Sequence, residues 1–349
     1  MIYSGIDLHK TNMVITTIDS NGVELAHAKL PCRKAEVSGY FGKFNRPHRA
    51  VVESTGSWYW LSDLLSTLGV ELILAHALQL KAISYAKVKT DAVDAGMLAE
   101  LLRVGLIPEA HQISPAMRSL REVMRTRLRL VVRRTAARVQ VHCLAEKAGW
   151  QLMGREFEDI NLLEEQMEAL LGDGPKQASC CWLDHIRLLE GQITRLEGWL
   201  HERLVPDEQI QRLREVPGIG VIGAYTILTE TDDMKRFPTP GQYLSYSRLV
   251  PGAANSGGKS RHRNSKQGNR YLKAIYTEAA VRAVQWYPVV REFYNKKTRR
   301  SGKRIARAIV AKELAKIVWH MLYYDQSYQG FKGRPTRAKT PQWPRPASP

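Results

Sequence analysis

The sequence predicts a mixed α/β amino-terminal domain followed by a mainly helical carboxy-terminal half. Short runs rich in Ile, Val, Thr and Leu, broken by polar turns, occupy the first 110 residues. From residue 114 onward, apolar residues recur at three- and four-residue intervals over long stretches. The chain has 349 residues, more than one core usually organises, so two or three domains are expected.

Taken in order, residues 2–7, 12–19 and 24–30 read as strands, the last two separated by the turn residues Asp19, Ser20, Asn21 and Gly22. A short helix is expected near 35–44, a strand at 49–54, a helix at 57–68, a strand at 71–76 and a helix at 91–104. This βββαβαβα order is that of the ribonuclease H-like fold. Residues 114–148 read as one long helix, with Ser114 as N-cap and Pro115 in the first position. Within 182–204, Ile186, Leu189, Ile193, Leu196, Leu200 and Leu204 form a heptad-like seam. The seam suits either a coiled-coil arm or an ordinary amphipathic core helix.

Residues 213–228 (LREVPGIGVIGAYTIL) read as two helices joined by a Pro-Gly-Ile-Gly turn, resembling a helix-hairpin-helix. In such a motif Gly218 and Gly220 let the backbone approach a phosphate; a tight turn used only for packing is the alternative. Residues 251–273 read as a Gly-, Ser- and Arg-rich loop leading into a helix. From Gly330 the chain is basic and Pro-rich, and a disordered tail is expected. The expected division is therefore 1–148, 149–206 for the arm, 207–329, and a tail at 330–349.

Charge is strongly segregated. The net +18 is made of 0 over residues 1–110, +7 over 111–150, −8 over 151–210, +1 over 211–250 and +18 over 251–349. Solubility needs no such segregation, and basic blocks beside a neutral domain suit a polyanion. Arg118, Arg121, Arg125, Arg129 and Arg133 form a stripe along the long helix. With few carboxylates near it in sequence, phosphate contact is favoured over a solvated face. Lys259, Arg261, Arg263, Lys266 and Arg270 supply a second basic group around the Gly-rich loop. Cys32, Cys143, Cys180 and Cys181 lack metal-ligand spacing, so a reduced, cytoplasmic protein is expected. Neither a signal peptide nor a membrane span is expected, because no apolar run is long enough.

The chemistry is carried by four carboxylates. Asp7 and Glu53 end the first and fourth strands, and Asp91 and Asp94 share one face of a helix at i, i+3. Mg²⁺ prefers oxygen ligands, and two ions about 4 Å apart stabilise both the attacking and the leaving oxygen of a phosphodiester. Asp7, Glu53, Asp91 and Asp94 are thus the candidate metal ligands. An actin-like ATPase shares the opening pattern, but the second phosphate loop and Gly-rich adenosine pocket it needs are missing before residue 110.

The segments GIDLHK, VVESTGSWYW, KTDAVDAGMLAELL, VPGIG and SGGKSRHRNSKQGNRYLK, in this order, resemble the DEDD transposases of insertion-sequence family 110, to which Piv-type invertases are related. The resemblance runs to about residue 325 and implies a RuvC-like domain, a coiled-coil arm and a carboxy-terminal transposase domain. It implies a site-specific DNA recombinase guided by a structured noncoding RNA that pairs with donor and target DNA. It also implies that Asp7, Glu53, Asp91 and Asp94 hold Mg²⁺, and that a loop serine is the nucleophile. The matching position is Ser256, with Ser260 and Ser265 in the same loop. Because Ser256 lies far from the carboxylates in sequence, the expected site is composite, formed within one subunit or across a dimer or tetramer. A hydrolytic nuclease or Holliday-junction resolvase would use the same carboxylates with water and would not need Ser256.

Overall fold

The computed structural model describes residues 1–44, 47–54, 57–83, 90–204, 207–256, 259–263 and 267–331, with backbone only for 252–256 and 259–263. The chain divides into two compact units, Met1–Ile113 and one beginning at Ser114.

The first unit contains β1 (Ile2–Leu8), β2 (Asn12–Ile18), β3 (Glu24–Pro31), α1 (Lys34–Phe41), β4 (His48–Glu53), α2 (Tyr59–Thr67), β5 (Val70–Ala75), α3 (Ala77–Ile83) and α4 (Asp91–Arg103). This is the expected order with one helix added, α3. The sheet runs β3-β2-β1-β4-β5. Pairs β1–β2 and β2–β3 are antiparallel, and β1–β4 and β4–β5 are parallel. Helices cover both faces of the central strands, which explains why RAVVES is apolar without alternation. On one face Ile6, Met13, Ile15, Ala50 and Val52 pack with Val37, Phe41, Leu61 and Leu65 of α1 and α2. On the other, Val51, Ile73 and Ala75 pack with Leu80, Leu98 and Leu102 of α3 and α4. A buried polar chain fixes α1 to the sheet. Ser4 Oγ lies 2.6 Å from Thr17 Oγ1 and 2.8 Å from His48 Nε2, and Thr17 Oγ1 lies 2.7 Å from the Tyr40 hydroxyl. Burial pushes the His48 imidazole down to about 4, so it is neutral at physiological pH.

Gly5 sets the distance between α4 and the sheet. A Cβ there would lie 2.0 Å from the Ala95 carbonyl oxygen and 2.5 Å from the Ala99 nitrogen. The helix therefore rests directly on the backbone of β1, and only a residue with no side chain allows it.

The second unit opens with α5 (Pro115–Lys147), followed by α6 (Ile160–Leu170), α7 (Asp173–Arg203), α8 (Glu208–Arg214), α9 (Val221–Thr231), α10 (Pro240–Tyr246), β6 (Gly252–Ser256), β7 (Lys259–Arg263), α11 (Arg270–Trp286) and α12 (Pro288–Tyr324). Helices α5 and α7 run antiparallel: Arg127 pairs with Glu197 and Arg138 with Glu190. Ala137, Val141 and Ala145 share a small core with Leu163, Met167, Leu183 and Ile186 at one end of this pair. The seam residues Ile186, Leu189, Ile193, Leu200 and Leu204 are buried, and Leu196 is half-buried.

The main core gathers Leu213, Val216, Ile219, Ala224 and Ile227, the apolar set expected around the α8–α9 turn, with α11 and α12. Gly218, at φ +81, packs so closely on α11 that a Cβ would lie 2.1 Å from the Ala279 carbonyl oxygen. Its freedom thus serves an internal contact. At Gly220, the N-cap position of α9, a Cβ would meet nothing within 4 Å. Helix α12 is interrupted at Gly302, where φ is +76 and ψ is 163.

One local expectation holds in position and two are corrected. Ser114 occupies the N-cap position of α5 with Pro115 after it, but its side chain makes no cap hydrogen bond. It donates instead to Asp232 Oδ1 at 2.9 Å. The stretch expected as a loop contains an antiparallel hairpin, with Gly252 paired to Arg263 and Ser256 to Lys259. Phe331, assigned to the tail, is buried and meets Phe293 edge-on at 5.4 Å between ring centroids. Residues 332–349 lie outside the described residues.

Replacing Gly5 with Ala should force α4 away from β1 and cost more than the usual overpacking penalty of about 1–3 kcal/mol. Urea unfolding should show the loss, and hydrogen exchange should show protection falling over Asp91–Arg103.

Candidate active site

The first unit brings the carboxylates together through strand register and one helix end. Strands β1 and β4 are parallel neighbours with Ile6 opposite Val52, so Asp7 and Glu53 follow in adjacent positions. Ile6 and Val52 point to the α1–α2 face, whereas Gly5 and Val51 meet the α4 side. By the two-residue alternation of a strand, Asp7 and Glu53 share the α4 side. Helix α4 starts there, with Asp91 and Asp94 in its first turn. Thr90 caps it, its hydroxyl accepting from the Val93 amide at 3.3 Å. Carboxylates suit this end because the helix dipole presents partial positive charge.

His9 completes the group. Its Nε2 lies 3.1 Å from Asp7 Oδ2 and 3.6 Å from Asp91 Oδ2. The ligand atoms of Asp7, His9 and Asp91 all fall within 4.8 Å of one another. Burial raises the Asp7 carboxyl above its ordinary value; His9 opposes the rise, and the charges of Asp91 and Asp94 add to it. Asp94 is therefore electrostatically part of the group. Glu53 stands at the end of the neighbouring strand, outside the tight triad. Among the described residues no lysine or arginine pairs with Asp7 or Asp91. An oxygen-rich donor set with excess negative charge, half open to solvent, fits a divalent cation. His9 was not singled out by sequence reasoning, although it stands two residues after Asp7 in GIDLHK. The bond from its amide to the Asn12 carbonyl, at 2.9 Å, closes the turn that returns it over the strand end.

In the second unit the arginine stripe divides by role. Arg121 and Arg125 converge on Glu230, whose side chain is 0% exposed. Arg121 reaches Oε2 at 3.0 Å, and Arg125 donates to Oε1 at 2.5 Å and Oε2 at 2.8 Å. Asn269 Nδ2 donates to the same Oε2 at 2.7 Å, while its own oxygen accepts from the Tyr271 and Leu272 amides at the start of α11. The scarcity of carboxylates around the stripe thus holds only for nearby sequence; the partner comes from α9, more than a hundred residues away. Arg129 bonds Glu122 and the Tyr271 hydroxyl but stays 46% exposed. Arg133 is exposed, Arg118 is half-buried, and Arg270 donates to the Tyr271 hydroxyl at 3.0 Å. Lys259, Arg261 and Arg263 lie on β7, where only the backbone is described, and Lys266 and Ser265 lie outside the described residues. Ser256 and Ser260 lie on the facing hairpin strands.

Burial alone would raise the Glu230 carboxyl. The Arg125 hydrogen bonds, the charges of Arg121 and Arg125, and the Asn269 amide outweigh it and hold the group below its ordinary value of 4.5. A depressed carboxylate stabilises the fold above its ordinary value, and that contribution is lost as pH falls through the lowered one. Glu230→Gln strands two largely buried guanidiniums and should cost about 3–5 kcal/mol near neutrality. Urea midpoints taken from pH 7 down to pH 3 should show the gap between wild type and variant closing on the acid side.

Comparison with known proteins places this geometry. Residues 4–148, which include Asp7, Glu53, Asp91 and Asp94, match the DEDD transposase model of the IS110 group. Residues 210–295, which include Ser256, match the model described as Transposase IS116/IS110/IS902 family. The chain is 28% identical to a "probable family 20 transposase" of Pseudomonas aeruginosa over 350 residues, covering 93% of this chain and 98% of that protein. It is 30% identical over 140 residues to the transposase of insertion sequence element IS1328 from Yersinia enterocolitica, covering 39% of this chain and 42% of that one. It is 24% identical over 255 residues to the transposase of element IS1111A from Coxiella burnetii, covering 69% and 68%. No helix among the described residues is long and apolar enough to cross a membrane. Two segments, residues 4–148 and 210–295, match models of one family, and this chain is a member of the IS110/IS116 family of DEDD transposases.

Proposed function

We propose that this transposase is an RNA-guided DNA recombinase that cuts and rejoins donor and target DNA through a covalent serine–DNA intermediate. The observation that carries the reading is the carboxylate group at the ends of β1 and β4 and the start of α4, in a family of DNA-mobilising enzymes. Asp7, Asp91, Asp94 and Glu53 are the residues to hold a divalent cation, Mg²⁺ in the simplest case. When bound, it offsets the negative charge that grows on a phosphodiester under attack. RNA guidance is supported by the motif resemblance and by the basic carboxy-terminal segment, whose net charge of +18 over residues 251–349 suits a polyanion.

In the chemical step the Ser256 Oγ attacks phosphorus. An Oγ–P bond forms, the P–O bond to the departing strand breaks, the hydroxyl proton leaves to a base, and the departing oxygen is protonated. Rejoining is the reverse reaction with the exchanged strand end, so no external energy source is consumed. Ser256 is paired with Lys259 at the end of a basic hairpin, where cations can balance the charge developing on the phosphate. The reading requires the carboxylates and the serine to act on one phosphodiester, supplied by one subunit or by two subunits of a dimer or tetramer.

The deciding experiment traps the reaction in denaturant, digests the DNA and searches by mass spectrometry for a nucleotide on the peptide spanning 250–270. Wild type should carry the adduct. Ser256→Ala should lose it while keeping nucleic-acid binding, and Asp7→Ala should lose cleavage altogether. An adduct on Ser260 or Ser265 moves the nucleophile along the same stretch of sequence. Cleaved DNA without an adduct, and full activity in Ser256→Ala, would identify a hydrolytic nuclease instead.

The division of the arginine stripe gives a second test. Affinity for nucleic acid should fall steeply with salt, because phosphate contacts release counterions. Replacing exposed Arg129 and Arg133 together with Ala should make the log–log slope shallower by about 2, roughly one per lost contact. Arg125→Ala should act chiefly through lost stability, and an unchanged slope in the double variant would assign the stripe to the solvated surface.

A further inference from the structure

Asp7 and Asp91 point their oxygens at a third donor that no carboxylate motif contains. The Nε2 of His9 lies 3.1 Å from Asp7 Oδ2 and 3.6 Å from Asp91 Oδ2, and the imidazole is 46% exposed. A second clustered set gives a useful contrast. Glu164, Glu168 and Cys180 also lie within ligand distance of one another. There, however, Arg187 neutralises Glu164 and Lys176 neutralises Glu168. That set has its counter-charges in place. Around Asp7 and Asp91 the only partner of this kind among the described residues is His9, a group that can offer a lone pair as readily as a proton.

We infer that His9 is a nitrogen ligand of the cation bound by Asp7 and Asp91, giving a mixed N,O,O site that favours Mn²⁺ over Mg²⁺. This rests on the divalent-cation reading of the acidic group and deepens it. The argument is one of position and donor chemistry. Oxygen atoms of two carboxylates and one ring nitrogen lie within 4.8 Å of one another, so one ion can be shared by all three after small side-chain adjustments. Carboxylate and water suit Mg²⁺, whereas an imidazole in the set shifts preference toward transition metals. The role needs the ring proton on Nδ1, leaving the Nε2 lone pair toward the carboxylates. His9 is held there by the tight turn between β1 and β2, so its position comes with the fold. Asp94 and Glu53 then remain for water-mediated contacts or for a second ion.

The test uses Mn²⁺ as probe on the full-length protein, with electron spin-echo envelope modulation to detect nitrogen bound to the metal. Wild type should show ¹⁴N modulation, and labelling the protein with [¹⁵N]histidine should change it without any substitution. His9→Gln keeps a polar side chain but removes the imidazole. It should abolish the modulation and weaken Mn²⁺ binding by at least about tenfold, with a smaller effect on Mg²⁺ measured by calorimetry. Mn²⁺ binding that disappears in Asp7→Ala but shows no nitrogen coupling in wild type would overturn the His9 assignment and leave the carboxylate site standing. Binding insensitive to Asp7→Ala would overturn the cation reading itself.

Discussion

The contact between α4 and the bare backbone of β1 at Gly5 determines the geometry of the acidic group. Without a side chain at that position, Ala95 and Ala99 come close enough for the helix to seat against the strand. Two residues further along β1 is Asp7, and one residue before Ala95 is Asp94. The distance between strand and helix therefore fixes the distance between carboxylates. A longer side chain at Gly5 would separate carboxylates it never touches. The same contact explains the electrostatics: Asp91 and Asp94 sit near enough to Asp7 to oppose its ionisation. The fold holds like charges together at a cost in stability, which is common where a site is built for an ion that relieves the repulsion.

The second unit is organised by a different device, a buried carboxylate shared by two guanidiniums. Glu230 joins α5 to α9, and through Asn269 it also holds the start of α11. Asn269 follows the β6–β7 hairpin by a few residues, and its amide donates to the Tyr246 carbonyl at 2.5 Å. Gly268, at φ +92, lets the chain pass against that carbonyl. The base of the hairpin is thus anchored by a polar network in which each partner satisfies another. Such a network gives little net energy over apolar packing, but it fixes register, and removing one member leaves buried charge behind.

The basic surface is not uniform. A run of arginines on one helix face looks uniform, yet tertiary structure divides it into internal clamps and exposed cations. Arg121 and Arg125 are internal, Arg127 and Arg138 tie α5 to α7, and Arg129 and Arg133 keep their exposure. Gly218 follows the same logic, because the space left by its missing side chain is filled by α11 rather than left for a ligand.

The sequence by itself determined the strand and helix order of the first unit, since its central strands and covering helices carry strong local patterns. Its residues also marked Asp7, Glu53, Asp91 and Asp94, because a strand end and an i, i+3 pair are positions that local periodicity reveals. The apolar set around the α8–α9 turn was equally legible. What tertiary structure alone decided were the long-range pairings. His9 joins Asp91 across more than eighty residues, Glu230 takes Arg121 and Arg125 from another helix, and Gly5 and Gly218 are required by backbones remote in sequence. The hairpin at Ser256 belongs here too, because strand pairing can override a composition that reads as loop. Local propensity fixes what each segment becomes, while charge pairing and close approach depend on which segments the folded chain brings together.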